Sequence, residues 1–151
     1  MKKGARHRHD EPGPRRQARE AAVQVLYALD TAGTNGSDAV AQAIQAYWSH
    51  LDRPAAGREF ADVLVQGVMA LRDQLDEAIR AANPTWRIER MACIDRNILR
   101  LAAYELTERD DVPPHIAIDE AVELAKRFGT EDSPAFVNGT LDKLARLRGK
   151  L

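Results

Sequence analysis

An all-α fold is predicted, and three features of the chain predict it. Apolar residues recur three or four positions apart nearly everywhere from Pro14 onward. No β-branched alternating run of the kind a half-buried strand needs is present. Glycine and proline fall between the periodic stretches, apart from Gly67 and Gly139, which are read as points of close helix packing.

The first stripe, Ala18, Ala22, Val25, Leu26 and Leu29, predicts a helix over about residues 15 to 31 that Gly33 ends. Arg16, Arg19 and Glu20 are placed on its outer face. Ser37 is a candidate N-cap for a weaker helix through Trp48 to about Leu51, before Pro54 and Gly57 break the chain. The strongest stripe runs Phe60, Val63, Leu64, Gly67, Val68, Leu71, Leu75, Ile79, and predicts one helix of about six turns as the central packing element. Asn83 and Pro84 stop it. A short segment around Trp86 leads to Ile94, Ile98, Leu101 and Ala102, with Leu99 and Leu106 widening the apolar arc toward burial on more than one side. Beyond Pro113 and Pro114, Ala117, Ala121, Leu124, Ala125 and Phe128 form a helix for which Gly129 is expected to be a left-handed cap. Ser133 and Pro134 then open the last helix, with Val137, Leu141 and Leu144 turned inward.

Composition agrees with one domain. The chain has 151 residues, 44% hydrophobic and 30% charged, and a chain of that length buries about 68 to 70% of its unfolded surface without disulfides or a structural metal. The lone Cys93 can form no internal bridge. No apolar run approaches the roughly 18 residues of a membrane span and no signal-peptide segment opens the chain, so an intracellular, cytoplasmic protein with no membrane partner is expected. Charge is divided unevenly. The first 19 residues hold seven basic side chains against Asp10 and Glu11, a net +5, while the rest carries −6 and the whole −1. Residues 1–14 are therefore read as a flexible basic arm and 15–151 as a single helical domain. Such an arm fits a polyanion such as nucleic acid; a solvated tail fits the charge equally well.

Enzymatic constellations are missing from the sequence. The glycines form no phosphate loop, and no Glu/His or His/His pair has the helical spacing of a bundle metal site. Cys93 lies between Met91 and Ile94 without a base, and reads as a small packed residue. The acidic run Asp119, Glu120, Glu123 sits near a helix start, where carboxylates favour the dipole. Neither catalytic residues, nor a metal, nor a cofactor is expected.

Three segments are informative: Arg15 to Tyr27 (RRQAREAAVQVLY), Ile94 to Leu106 (IDRNILRLAAYEL) and Ala117 to Lys143 (AIDEAVELAKRFGTEDSPAFVNGTLDK). Together they closely resemble the NusB family of bacterial transcription antitermination factors, over about Arg15 to Lys143. The resemblance implies a compact all-α fold of about seven helices in two packed helical bundles. It also implies pairing with NusE, a small-subunit ribosomal protein, and binding of boxA-like single-stranded RNA in nascent ribosomal RNA transcripts, tethered to the RNA polymerase antitermination complex. A NusB-like domain precedes a methyltransferase in some RNA-modifying enzymes; the end at Leu151 leaves no room for one, so the stand-alone factor is expected.

Carried onto this sequence, the resemblance assigns RNA binding to Arg15, Arg16, Arg19, Glu89, Phe128, Asp132, Ser133 and Phe136, and partner binding to Tyr27 and Asp95. Guanidinium groups suit phosphates and base edges, and the three arginines are expected to face solvent. Gln17 stands where the family is often basic. Phe128 and Phe136 flank the loop 129–134, close enough in sequence for their rings to approach; spacing alone reads them as core, and the resemblance places them on the RNA rim. Asp132 can accept from a base amino group, or simply cap the last helix. Tyr27 can bury its ring and expose its hydroxyl, and Asp95 should point away from the core, toward a partner or into an internal salt bridge. A purely protein-binding helical adaptor is the competing reading, and a homodimer of the free chain is a further partner to test.

Overall fold

The computed structural model describes residues 13–50 and 56–151. The basic arm through Pro12, the Pro54 break and Leu51 lie outside them. Among the described residues the chain forms seven α-helices, one short 3-10 helix and no strand. The helices are α1 (Pro14–Ala32), α2 (Ser37–Ser49), α3 (Arg58–Ala70), α4 (Arg72–Ala82), the 3-10 turn Ile88–Arg90, α5 (Cys93–Glu108), α6 (Pro114–Phe128) and α7 (Ser133–Leu147). They form two groups. Helices α1, α2 and α3 pack together, α7 packs against both α4 and α6, and α5 touches α1, α3, α4, α6 and α7.

Most boundaries follow the local chemistry. Gly33, at φ +70°, ends α1 by returning its own N–H to Asp30 and that of Thr34 to Leu29, a Schellman closure that a residue with a Cβ would strain. Pro134 occupies the first turn of α7, as proline's fixed φ favours. Ser37 and Ser133 are first helical residues rather than caps; Gly36 and Asp132 hold the cap positions without side-chain cap bonds.

Three expectations fail in instructive ways. The six-turn helix is two, broken at Leu71 (φ −110°, ψ 15°). Its stripe is blind to the break because Leu71 still links the halves, donating to Gly67 and accepting from Leu75 at 2.9 Å, while α3 turns toward α1 and α4 toward α7. The central element is consequently α5, not this pair. Gly129 is extended (φ −93°, ψ −167°) instead of left-handed, and what demands glycine is space: a Cβ would sit 2.5 Å from Ser133 Oγ and 2.8 Å from the Ala125 carbonyl. Gly67 does allow close packing, against the Tyr104 ring, whereas a Cβ on Gly139 would meet nothing within 4 Å.

The core is Leu-, Val-, Ile- and Ala-rich, yet buried charges fix how its helices meet. Arg19, expected in solvent, is 5% exposed and grips Glu105 of α5 with two hydrogen bonds, 2.7 and 2.8 Å. Its third nitrogen lies 3.5 Å from Glu120 of α6. At the other end of α1, Asp30 accepts from Arg96 (2.6 Å), Asn97 (2.8 Å) and Arg100 (3.2 Å) of α5. Arg100 in turn pairs with Asp76 of α4 at 2.7 and 3.0 Å. The two clamps run in opposite directions along the two helices, so α1 and α5 are antiparallel and locked in register.

Removing half of a buried pair leaves a bare charge inside, which costs about 3 to 5 kcal/mol. Arg19→Ala is therefore expected to lower the urea unfolding free energy by about that amount, and the double change Arg19→Met, Glu105→Leu to recover most of it. A single variant as stable as the parent would show that the pair carries no such constraint. Burial alone would raise the Asp30 pKa, but hydrogen bonds from Arg96 and Asn97 and the charge of Arg100 outweigh it and hold the group at about 2. A carboxylate depressed in the folded state stabilises it above its unfolded pKa and loses that contribution as pH falls through the folded value. Stability should thus decline between about pH 4 and pH 2, with Asp30→Asn flattening that decline in acid titrations followed by circular dichroism.

Candidate nucleic-acid interface and partner groove

Helices α1 and α6 lie side by side and carry one continuous row of polar and aromatic groups. At its start Arg16 meets Glu120 through two hydrogen bonds, 3.2 and 2.7 Å, which raise the Arg16 pKa. One turn on, Glu20 meets Arg127 at 3.1 Å. Further along, Gln24, Tyr27 and Phe128, with Ile94 at the start of α5, line a groove of about 410 Å³. Tyr27 is 43% exposed and Phe128 half-buried, so an aromatic wall faces solvent. Asp95, one residue after Ile94, is half-buried, and its Oδ1 is buried without a hydrogen-bond partner. Helical spacing predicts that Asp95 points away from the core, toward a partner or into an internal salt bridge; the half-burial of the side chain differs from full exposure there.

Arg15 stands at the head of the row. It is exposed, pairs with Asp111 at 2.7 Å, and lies with its guanidinium 4.4 Å from the centre of the Phe60 ring. Arg109 shares both partners, at 3.1 Å from Asp111 and 5.3 Å from the ring centre. Of the three arginines, Arg15 and Arg16 face solvent and Arg19 does not. Arg19 shares one helical stripe with Ala22, Val23 and Leu26, and all four are buried.

Beyond the groove the loop 129–132 is tied down from inside. Ser133 Oγ accepts from the Thr130 N–H at 2.9 Å and lies 3.3 Å from its hydroxyl. Ser133 is 1% exposed, so it shapes the loop and offers no surface to a ligand, contrary to the expectation of an RNA contact. Asp132 is exposed at the cap position of α7. Phe136 is half-buried and meets not Phe128 but Trp86, with ring centres 5.9 Å apart and planes at 73°. Phe128 instead belongs to the groove with Tyr27. Glu89 is exposed and lies 3.1 Å from Arg80 and 3.9 Å from Arg87; its own backbone amide and Arg80 hold its pKa below the usual carboxylate range.

Cys93 is a partly buried thiol 3.4 Å from Asp30, and burial, reinforced by that carboxylate, raises its pKa. A thiol held protonated is a weak nucleophile. Among the described residues no three of His, Cys, Asp and Glu gather so that they could hold a metal ion, and no helix is long and apolar enough to cross a membrane.

Sequence reasoning missed two elements of this surface. Trp86 was read only as part of a connecting segment, although a tryptophan lying off every apolar stripe and beside arginines was a signal. The buried position of Arg19 was also legible, in its spacing from Ala22, Val23 and Leu26.

A helical scaffold whose chemistry lies in exposed guanidinium, carboxylate and aromatic groups along helix faces and in an open groove is a binding adaptor. Comparison with known proteins makes the assignment specific. The NusB family model matches residues 16–146, and the chain belongs to the NusB family. It is 47% identical over 139 residues to the transcription antitermination protein NusB of Sorangium cellulosum, covering 92% of this chain and 96% of that protein. It is also 47% identical over 133 residues to the same factor of Geobacter sulfurreducens, covering 88% and 94%. Among solved structures, T. maritima NusB superposes with a TM-score of 0.76 at 34% identity, over 90% of this chain and 93% of that one. A crystal structure of the antitermination factors NusB and NusE in complex with double-stranded RNA aligns with a TM-score of 0.74 at 26% identity, over 89% and 97%.

The half-burial of Phe136 sets a stability expectation. Phe136→Ala should cost clearly less than the about 3 to 5 kcal/mol typical of a fully buried phenylalanine, because a ring at the rim leaves no closed cavity. A chemical denaturation curve that shows the full loss would make Phe136 a core residue.

Proposed function

We propose that this chain is a non-enzymatic, cytoplasmic antitermination factor that pairs with a NusE-like ribosomal protein and binds boxA-like single-stranded RNA in nascent ribosomal RNA transcripts. In this reading it links that RNA to the RNA polymerase antitermination complex. The observation that carries it is the presence, on one member of this family, of two surfaces with different chemistry.

One set of groups suits a nucleic acid. Arg15 and Arg16 offer forked donors at the head of α1, and Phe136 offers a ring at the start of α7. The Arg15–Asp111 pair is exposed and contributes little, so a phosphate oxygen can replace Asp111. Glu120 is mostly buried and keeps Arg19 at 3.5 Å when a phosphate takes the exposed Arg16. Asp132 supplies an acceptor for a base amino group beside Phe136. Glu89 acts as a counter-charge that orients Arg80.

The other surface suits a folded partner. Tyr27, Ile94 and Phe128 make an open aromatic groove, and Tyr and Phe are enriched in interfaces. Asp95, half-buried one residue after Ile94, adds a carboxylate next to this groove. Phe128, given to RNA by the family resemblance, is reassigned to this side.

The deciding experiment titrates labelled boxA-like RNA with the protein alone and with a NusE-like partner. Binding is expected to tighten with the partner present, and the double variant Arg15→Ala, Arg16→Ala to weaken it while melting within a few degrees of the parent. Binding of the partner with no RNA affinity in either mixture would favour the purely protein-binding adaptor.

A further inference from the structure

The two tryptophans of the chain are treated in opposite ways. Trp48 is 8% exposed and donates its indole N–H to Asp62 at 3.1 Å, as a packed tryptophan does. Trp86 is 56% exposed, between Thr85 and Arg87 in the connection from α4 to the 3-10 turn. A lone apolar side chain in water needs no explanation by itself. This one is held in place and is not loose.

Its backbone N–H donates to the Asn83 carbonyl at 3.2 Å. The Asn83 side-chain amide donates to Thr140 Oγ1 of α7 at 3.1 Å, and the Thr85 hydroxyl lies 3.4 Å from Asn83 Oδ1. The connection is thereby fixed to the helix that carries Phe136. The indole stands against the Phe136 ring, 5.9 Å between centres, and more than half of its surface stays open. On the segment 80–90 that carries it, the exposed Arg80, Arg87 and Arg90 outnumber Glu89, and Asp132 is exposed four residues before Phe136. An apolar partner surface would meet these charged groups beside the ring. A nucleic acid offers what the setting asks for, a flat base for the ring and phosphates for the guanidinium groups.

We propose that Trp86 is a second base-stacking residue, forming with Phe136 a two-ring platform for successive unpaired bases of an RNA strand, with Arg87 and Arg80 contacting its phosphates. The inference rests on the RNA-binding reading and extends it by a residue. The angle between the rings adds selectivity. Bases laid on planes 73° apart cannot also be parallel to each other, so the platform accepts a strand turned out of its helical stack and not a duplex.

Three measurements on the full-length chain test it, with labelled single-stranded boxA-like RNA as the probe and the same sequence as a duplex for comparison. Trp86→Ala should weaken single-strand binding by roughly 5- to 150-fold, the span associated with loss of one base–aromatic stack, and leave duplex binding nearly unchanged. Trp86→Phe, which keeps a ring, should recover most of the loss. In a Trp48→Phe variant, where Trp86 is the sole tryptophan, single-stranded RNA should quench its fluorescence at the concentrations that saturate binding. Parent-like affinity in Trp86→Ala, or binding without quenching, overturns the platform while leaving the RNA-binding reading intact. Absence of RNA binding by the parent, with and without the NusE-like partner, overturns both.

Discussion

The fold is organised around one antiparallel contact, between α1 and α5, and that contact is set by charge buried inside an apolar interface. Leu26, Val23 and Ile98 could slide past one another by a helical turn at modest cost, since apolar contact is not directional. Arg19 with Glu105, and Asp30 with Arg96, Asn97 and Arg100, cannot. Each clamp satisfies a desolvated charge only in one register, so a slipped arrangement would strand ions in the core. Their contribution is best understood as specificity, with the apolar stripes supplying most of the free energy.

That constraint also positions the surfaces. Arg19 reaches Glu120 as well as Glu105, so α6 is drawn beside α1, and the row from Arg16 to Tyr27 and Phe128 comes together as a consequence. At the far end, Asp30 holds the first turn of α5, the turn that carries Ile94 and Asp95 to the groove. Arg100 of α5, paired with Asp76 of α4, steadies the helix that leads to Asn83 and Trp86. Groups at the surface are thus aimed by ion pairs well beneath them.

Much of this was legible in the sequence. Helix class, the end of α1 at Gly33 and the inward faces of α5, α6 and α7 follow from spacing. Function was legible chiefly through the resemblance of three segments to one family. What periodicity concealed has physical causes. A stripe passes unbroken through Leu71, because one distorted residue shifts direction without losing the hydrogen-bond ladder. Arg19 reads as surface by its type, although it occupies a stripe position, as does Glu105, which follows Ile98, Leu101 and Ala102 by helical steps. Opposite charges on two facing stripes are the sequence mark of a buried pair. Phe128 and Phe136 are neighbours along the chain, yet the loop pinned by Ser133 turns them to different partners, which no local rule reveals.

The partners of α1 lie late in the chain. Arg19 and Glu105 are 86 residues apart, and Arg16 and Glu120 are 104 apart. A ribosome adding about 5 to 20 residues per second needs roughly 4 to 17 s to cover the shorter of these intervals. For that time α1 exists with its stripe made and its cover still unwritten, so this helix depends on α2 and α3 as temporary shelter, and the native arrangement can close only after α5 has been synthesised.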